Sequence, residues 1–186
     1  MEAEMAKAAV LLADGFEEIE AMSIIDILRR AGAEVFTAGL KEGAVTGSRN
    51  VKVLADGLID EIDGSFDALI LPGGQPGADN LNADERVKNL LFSFDEQNKL
   101  ICAICAAPYI LAEKGMLKGR KATCFPAYAE LLKDSYSETK VIKDGNIITS
   151  RGPATAPDFA FKIVDELIGK EVTDSLKKSM LYFCGC

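Results

Sequence analysis

The stretch LICAICAAPYIL, Leu100 to Leu111, decides the fold. Its first five residues are a continuous apolar run of strand length, and the residues after Ala107 are equally apolar but helix-forming. The spacing therefore predicts a buried strand that passes into a helix across Cys105 and Ala106. Working outward, the same alternation repeats. KAAVLLA (7–13), AEVFTAG (33–39), DALILP (67–72) and KATCF (121–125) read as strands. Helices are predicted from about Glu17 to Ala31, with Gly32 as the stop, over 84–97, from Ala106, near 127–132, and from a Thr155 cap to Gly169. The terminal KEVTDSLKKSMLYF reads as one more helix, whereas 41–65 gives only a loop, KEGAVTGSRN, and a strand, VKVLAD. Strands apolar at every position belong to a mostly parallel sheet covered on both faces, and Asp144-Gly145 within VIKDGNIITS (141–150) marks a hairpin. The expected class is α/β: a three-layer α/β/α sandwich with an antiparallel edge hairpin.

Composition bounds the function. A chain of 186 residues, 48% hydrophobic and 27% charged, is sized for a single domain over 1–186. No apolar run approaches the ~18 residues needed to cross a bilayer. The start lacks a basic segment before its apolar run, so no signal peptide is expected and the cytoplasm is the expected compartment. A net charge of −8 repels phosphate backbones, which argues against a nucleic-acid partner. Five cysteines, an odd number, point to reduced thiols instead of a disulfide framework. With no histidine and no pair of Cys-x-x-Cys knuckles, no metal site is expected, and the terminal CGC (Cys184, Cys186) is expected to fray.

Ligands of open α/β sheets bind beyond the carboxyl ends of the strands. Three stretches end strands with unusual residues, ADGFEEIE, LPGGQPGADN and AICAAP, and parallel strands would bring all three to one rim. Cys105 falls where a strand turns into a helix, the place of a nucleophile elbow, with the small neighbours Ala103, Ala106 and Ala107 that such a turn needs. Helix-terminal amides there favour thiolate over thiol without histidine. The plain alternative is a buried cysteine acting as a small hydrophobe. Cys102 reads as core, because two residues three apart in or beside a strand lie about 10 Å apart, beyond disulfide reach; Cys124 reads the same way. Gly73 and Gly74 follow a strand and could present amides to a ligand. Glu17, Glu18 and Glu20 suit a helix start, but one of them turned toward Cys105 would have to share a proton with it. Arg49 and Arg151 are either solvated or paired, or hold an anionic substrate.

Taken together and in order, LADGFEEIE, RRAGAEV, LPGGQPGADNL, AICAAP and TSRGPAT resemble the ThiJ/PfpI superfamily, in the branch of the Parkinson-disease protein deglycase and its bacterial relatives. The resemblance implies a flavodoxin-like sandwich of the class I glutamine amidotransferase type and a homodimer. It further implies Cys105 as the reactive cysteine, Glu20 as a protonated acid bonded to it, and amides from Gly73, Gly74 and Ala106. Arg49 matches an arginine that reaches the partner subunit's pocket, and Arg30 another close to it. Two departures stand out: Ala106 follows the cysteine, and Phe125 stands where the deglycase has histidine before proline. A Cys-His peptidase or amidotransferase triad is thereby excluded within this subunit.

Two functions are expected from one pocket. The first is a cofactor-independent glyoxalase or deglycase acting on a small aldehyde such as methylglyoxal, or on early adducts of a glycated protein. The second is an oxidative-stress sensor or redox-regulated chaperone in which Cys105 becomes a sulfinate.

Overall fold

β1 (Lys7–Leu12) forms the centre of a sheet because every one of its side chains past Lys7 is buried. The computed structural model describes residues 5–182. In chain order there follow α1 (Glu18–Arg30), β2 (Glu34–Gly39), β3 (Ala44–Thr46), β4 (Lys52–Leu54), β5 (Gly57–Leu58), β6 (Ala68–Leu71), α2 (Gly77–Ala83) and α3 (Glu85–Glu96). The second half contains β7 (Leu100–Ile104), α4 (Pro108–Glu113), α5 (Ala129–Leu132), β8 (Val141–Asp144), β9 (Ile147–Ser150), α6 (Ala156–Leu167) and α7 (Lys170–Ser179).

Seven strands make one sheet in the order β5-β2-β1-β6-β7-β9-β8. All neighbours are parallel except β8 and β9, the hairpin turned at Asp144-Gly145. The five central strands β2-β1-β6-β7-β9 run in the flavodoxin-like order 2-1-3-4-5, with β1 and β6 at the point where the order reverses. β3 and β4 form a separate antiparallel pair in register Val45 to Val53.

Alternation along each strand builds two cores. Ala9, Leu11, Leu69, Leu71, Ile101 and Ala103 pack with α2, α3 and α4 on one face. Ala8, Val10, Leu12, Ile70, Cys102 and Ile104 pack with α1 and α6 on the other. Each fully buried Val, Leu, Ile or Phe contributes about 1.5–3 kcal/mol, so both layers are held firmly to the sheet. On α1 the buried stripe is Glu20, Ala21, Ile24, Ile25, Ile27 and Leu28, a helical period whose first member is a carboxylate.

Five local expectations change. KATCF is not a sheet strand: Ala122 makes one isolated bridge to Tyr136. The free edge of β9 is already taken by β8, so residues 122–124 run buried beside the elbow instead. The helix after Cys105 starts at Pro108, not Ala106, leaving 105–107 as the turn. Thr155 does not cap α6 with its side chain; its Oγ1 lies 2.7 Å from Ser150 Oγ. Finally, α2 was not expected, and the Ala44–Thr46 part of the expected loop pairs as β3. The Cys184 and Cys186 tail lies outside the described residues. Among the described residues no helix is long and apolar enough to cross a membrane.

Candidate functional site

The carboxyl ends of β1, β6 and β7 meet where the strand order reverses, and each delivers one part of a site. β7 ends in Cys105, whose φ of +65° is left-handed, a conformation that costs a non-glycine residue about 1–3 kcal/mol. The surroundings fix it from both sides: the Cys105 amide donates to Ser150 O at 3.0 Å, and its carbonyl accepts from Phe125 N–H at 2.8 Å. The turn thus sets Cys105 beyond the end of the sheet, 9% exposed.

After β1, three acids open α1 and do three different things. Glu17 is the N-cap, its Oε2 accepting from the Glu20 amide at 2.8 Å. Glu18 turns sideways to the loop between β3 and β4, where Oε1 accepts from Arg49 N–H at 2.6 Å and Oε2 from Ser48 Oγ at 3.1 Å. Glu20, with no exposed surface, lies beside Cys105. Its Oε2 accepts from the Gly73 amide at 2.8 Å, while its Oε1 is buried with no hydrogen-bond partner among the described residues.

β6 ends in the Gly73-Gly74 loop. A Cβ on Gly73 would lie 2.6 Å from Cys105 Cβ and 2.7 Å from Glu20 Oε2, so only glycine lets the backbone between thiol and carboxyl. The Gly73 carbonyl in turn accepts from Glu17 N–H at 2.9 Å, tying this loop to the start of α1.

Burial pushes Glu20 up from an ordinary 4.5 to about 7, against the hydrogen bonds from Cys105 and Gly73. Burial also pushes the Cys105 thiol up, the charge of Glu20 adds to this, and the amides of Ala106 and Gly74 oppose it. Two anions in contact are excluded, so the pair titrates as a unit and carries one negative charge after its first proton leaves. A charge on sulfur is met by the Ala106 and Gly74 amides and by a proton on Glu20. A charge on the carboxylate is met by the Gly73 amide and the thiol. Oε1 has no partner among the described residues unless it carries a proton, so below about pH 7 the buried carboxyl holds its proton beside the thiol.

Beside the elbow a cleft of about 240 Å³ is walled by Phe125, Pro126, Arg151, Gly152 and Pro153, largely apolar. Phe125 is 43% exposed and forms its outer wall. A wider cleft, about 640 Å³, lies at the opposite strand ends near Lys7, Asp67 and Leu100, away from the paired thiol and acid. Cys102 is fully buried and Cys124 likewise; both are free thiols with burial pushing them up, Cys124 to about 11.

The structure brings together Cys105, Glu20, Gly73, Gly74 and Ala106. It does not bring Arg49 or Arg30 to them in this subunit. Arg49 is exposed on the β3–β4 loop, donating to Ser48 O, and Arg30 pairs with Asp26 at 2.6 Å on the last turn of α1. Arg151 pairs with exposed Glu138 at 3.0 Å. Sequence reasoning passed over Tyr109, Tyr128, Gln75 and Asp79, which bind one another around the rim.

The description of the DJ-1/PfpI family matches residues 6–166. Protein DJ-1 homolog B of Arabidopsis thaliana is 47% identical over 92% of this chain, which spans only 40% of that longer protein. Protein dj-1beta of Drosophila melanogaster is 44% identical over 95% of this chain and 98% of its own length. Its crystal structure superposes with a TM-score of 0.92 over 96% of this chain and 98% of that one. A protein of Thermococcus kodakarensis named as a deglycase is 34% identical over 79% of this chain and 90% of its own.

Proposed function

The chain belongs to the DJ-1/PfpI family, and from that premise we propose that it is a cofactor-independent, cysteine-dependent glyoxalase or deglycase acting on small α-oxoaldehydes or their early protein adducts. The observation that carries this reading is the buried Glu20 beside Cys105, with one carboxyl oxygen held by Gly73 and the other left to carry a proton. The archaeal relative named as a deglycase supports the same substrate class.

In this reading the Cys105 thiolate adds to the aldehyde carbon of methylglyoxal, forming a C–S bond. Glu20 gives its proton to the new alkoxide, so a neutral hemithioacetal faces a carboxylate. That carboxylate then takes the proton from the former aldehyde carbon and returns it to the neighbouring ketone carbon, while the hydroxyl proton on the first carbon passes to the ketone oxygen. The first carbon is oxidised to a thioester and the second reduced to an alcohol, with no external electron acceptor. Water hydrolyses the thioester to lactate and restores thiolate and acid. No histidine exists to share these transfers, so Glu20 carries them all.

The functional unit in this reading is a homodimer. Ile19 on α1 and Val51 and Leu54 around β4 expose apolar surface beside Arg49, and a twofold contact there would cover them while carrying Arg49 toward the partner's pocket. The decisive experiment is methylglyoxal turnover by wild type and Cys105→Ser. Many lactate molecules per wild-type subunit and none from the variant are expected; equal rates, or a single equivalent consumed per thiol, would rule the enzyme out.

A further inference from the structure

Three backbone segments surround the thiol: the Gly73-Gly74 loop, the turn from Cys105 into α4, and residues 125–128, whose Phe125 amide binds the Cys105 carbonyl. A Gly-Gly loop has no side chain with which to hold its own orientation, and Gly74 sits at φ +91°. Its aim must come from its neighbours. Gln75, the next residue, donates through Nε2 to Tyr128 Oη at 2.8 Å and to Asp79 Oδ1 at 3.1 Å. The same Oδ1 accepts from Tyr109 Oη at 2.6 Å, a charge-assisted bond from a ring only 5% exposed. Tyr109 lies on α4, four residues after Cys105, and its ring stacks on that of Tyr128 with centroids 5.6 Å apart and planes 13° from parallel. Each of the three segments thus contributes at least one side chain to a single closed network.

We infer that Gln75, Asp79, Tyr109 and Tyr128 form a positioning clamp that holds the Gly73-Gly74 loop against Cys105, where a Cβ on Gly73 would lie 2.6 Å from the Cys105 Cβ. None of the four is a catalytic residue; they act through the backbone between them. Part-exposed bonds of this kind exchange with bonds to water and add little net stability, so stability alone does not account for the network. Its effect is directional, because a hydrogen bond weakens steeply as its angle opens. The inference rests on the reading of Cys105 as the reacting thiolate.

The test is the pH dependence of iodoacetamide labelling at Cys105, followed by peptide mass spectrometry, in the full chain. Asp79→Ala breaks both bonds to Oδ1, whereas Asp79→Asn keeps an accepting oxygen. Tyr109→Phe and Tyr128→Phe each remove one hydroxyl and keep the stacked rings, so they retain the fold if Asp79→Ala does not. With the loop released, the thiolate loses the Gly74 donor and the labelling curve moves to higher pH. Below the midpoint, the rate is expected to fall about tenfold in Asp79→Ala and Tyr109→Phe, the equivalent of one pH unit. Asp79→Asn should stay within about twofold of wild type. Curves that overlay wild type in all four variants, whether or not the melting temperature drops, overturn the clamp. Labelling needs no turnover, so a wild type inactive toward methylglyoxal would sink the proposed reaction and leave this measurement standing.

Discussion

Gly73→Ala is the most economical perturbation of the site, because it adds a single methyl between the two groups proposed to exchange a proton. The new Cβ would sit 2.6 Å from Cys105 Cβ, 2.7 Å from Glu20 Oε2 and 2.8 Å from Ile104 O, each roughly 0.6–0.8 Å inside ordinary van der Waals contact. Gly73 is not among the glycines in the left-handed region, so steric displacement is the whole perturbation. Neither Ile104, paired in the sheet, nor Glu20, with no exposed surface, has room to retreat. Overpacking of this kind costs about 1–3 kcal/mol, or roughly 2–12 °C in melting temperature for a chain of this size. The chemical cost is at the upper end of the same range, since a displacement near 1 Å between reacting groups lowers rate by about 10²-fold, the equivalent of about 2.7 kcal/mol. The assay is methylglyoxal turnover beside thermal melting, with Gly64→Ala as the control. There the nearest atom to an added Cβ is 4.0 Å away, and that variant should match wild type in both measurements. A Gly73→Ala enzyme with wild-type turnover and melting temperature would refute the packed contact among Gly73, Cys105 and Glu20.

Two further outcomes follow from the same structure. Glu20 binds its proton more tightly in the folded chain, near pH 7, than the ordinary 4.5 of an unfolded one, so stability from this pair is complete below pH 4.5 and lost as pH rises through 7. Wild type minus Glu20→Gln, measured by urea unfolding, should therefore change by about 3 kcal/mol between pH 4.5 and 8. Asp14 and Asp84, held low by Lys41 and Arg86, act in the opposite sense below that window and cancel in the difference; a flat difference curve would mean that Glu20 ionises freely. Leu54→Asp, at a side chain 77% exposed beside the Arg49 loop, should shift micromolar sedimentation from dimer to monomer while the melting temperature of the subunit changes little. A wild-type monomer with full turnover would remove the need for the partner's arginine.

The sheet was legible because its strands are buried on both faces, which writes them as unbroken apolar runs. The same signal misled at KATCF: Ala122, Thr123 and Cys124 are buried, but burial is not strand pairing, and β8 had already closed the edge. α2, with one glycine, one aspartate and two asparagines in seven residues, has weak local propensity and is set by tertiary contact. At the site, Cys105 could be read from the strand-to-helix junction. Glu20 had a further signal in the sequence, since it occupies the first position of the stripe that continues through Ile24 and Ile27. The tyrosine network carried none, because Gln75, Asp79, Tyr109 and Tyr128 lie up to 53 positions apart and meet only when the sheet is assembled.

The three glutamates at the head of α1 carry a lesson about what composition conceals. They are one letter repeated, yet Glu17 answers to its own helix, Glu18 to the neighbouring hairpin and Glu20 to the thiol. A shuffle of Glu17, Phe16, Ile19 and Glu20 would leave net charge and hydrophobic fraction untouched while breaking the cap and the acid together. Substitution tolerance here is therefore a property of address, not of alphabet: two neighbouring sites with identical side chains obey different rules, and a score averaged over the stretch would describe none of them.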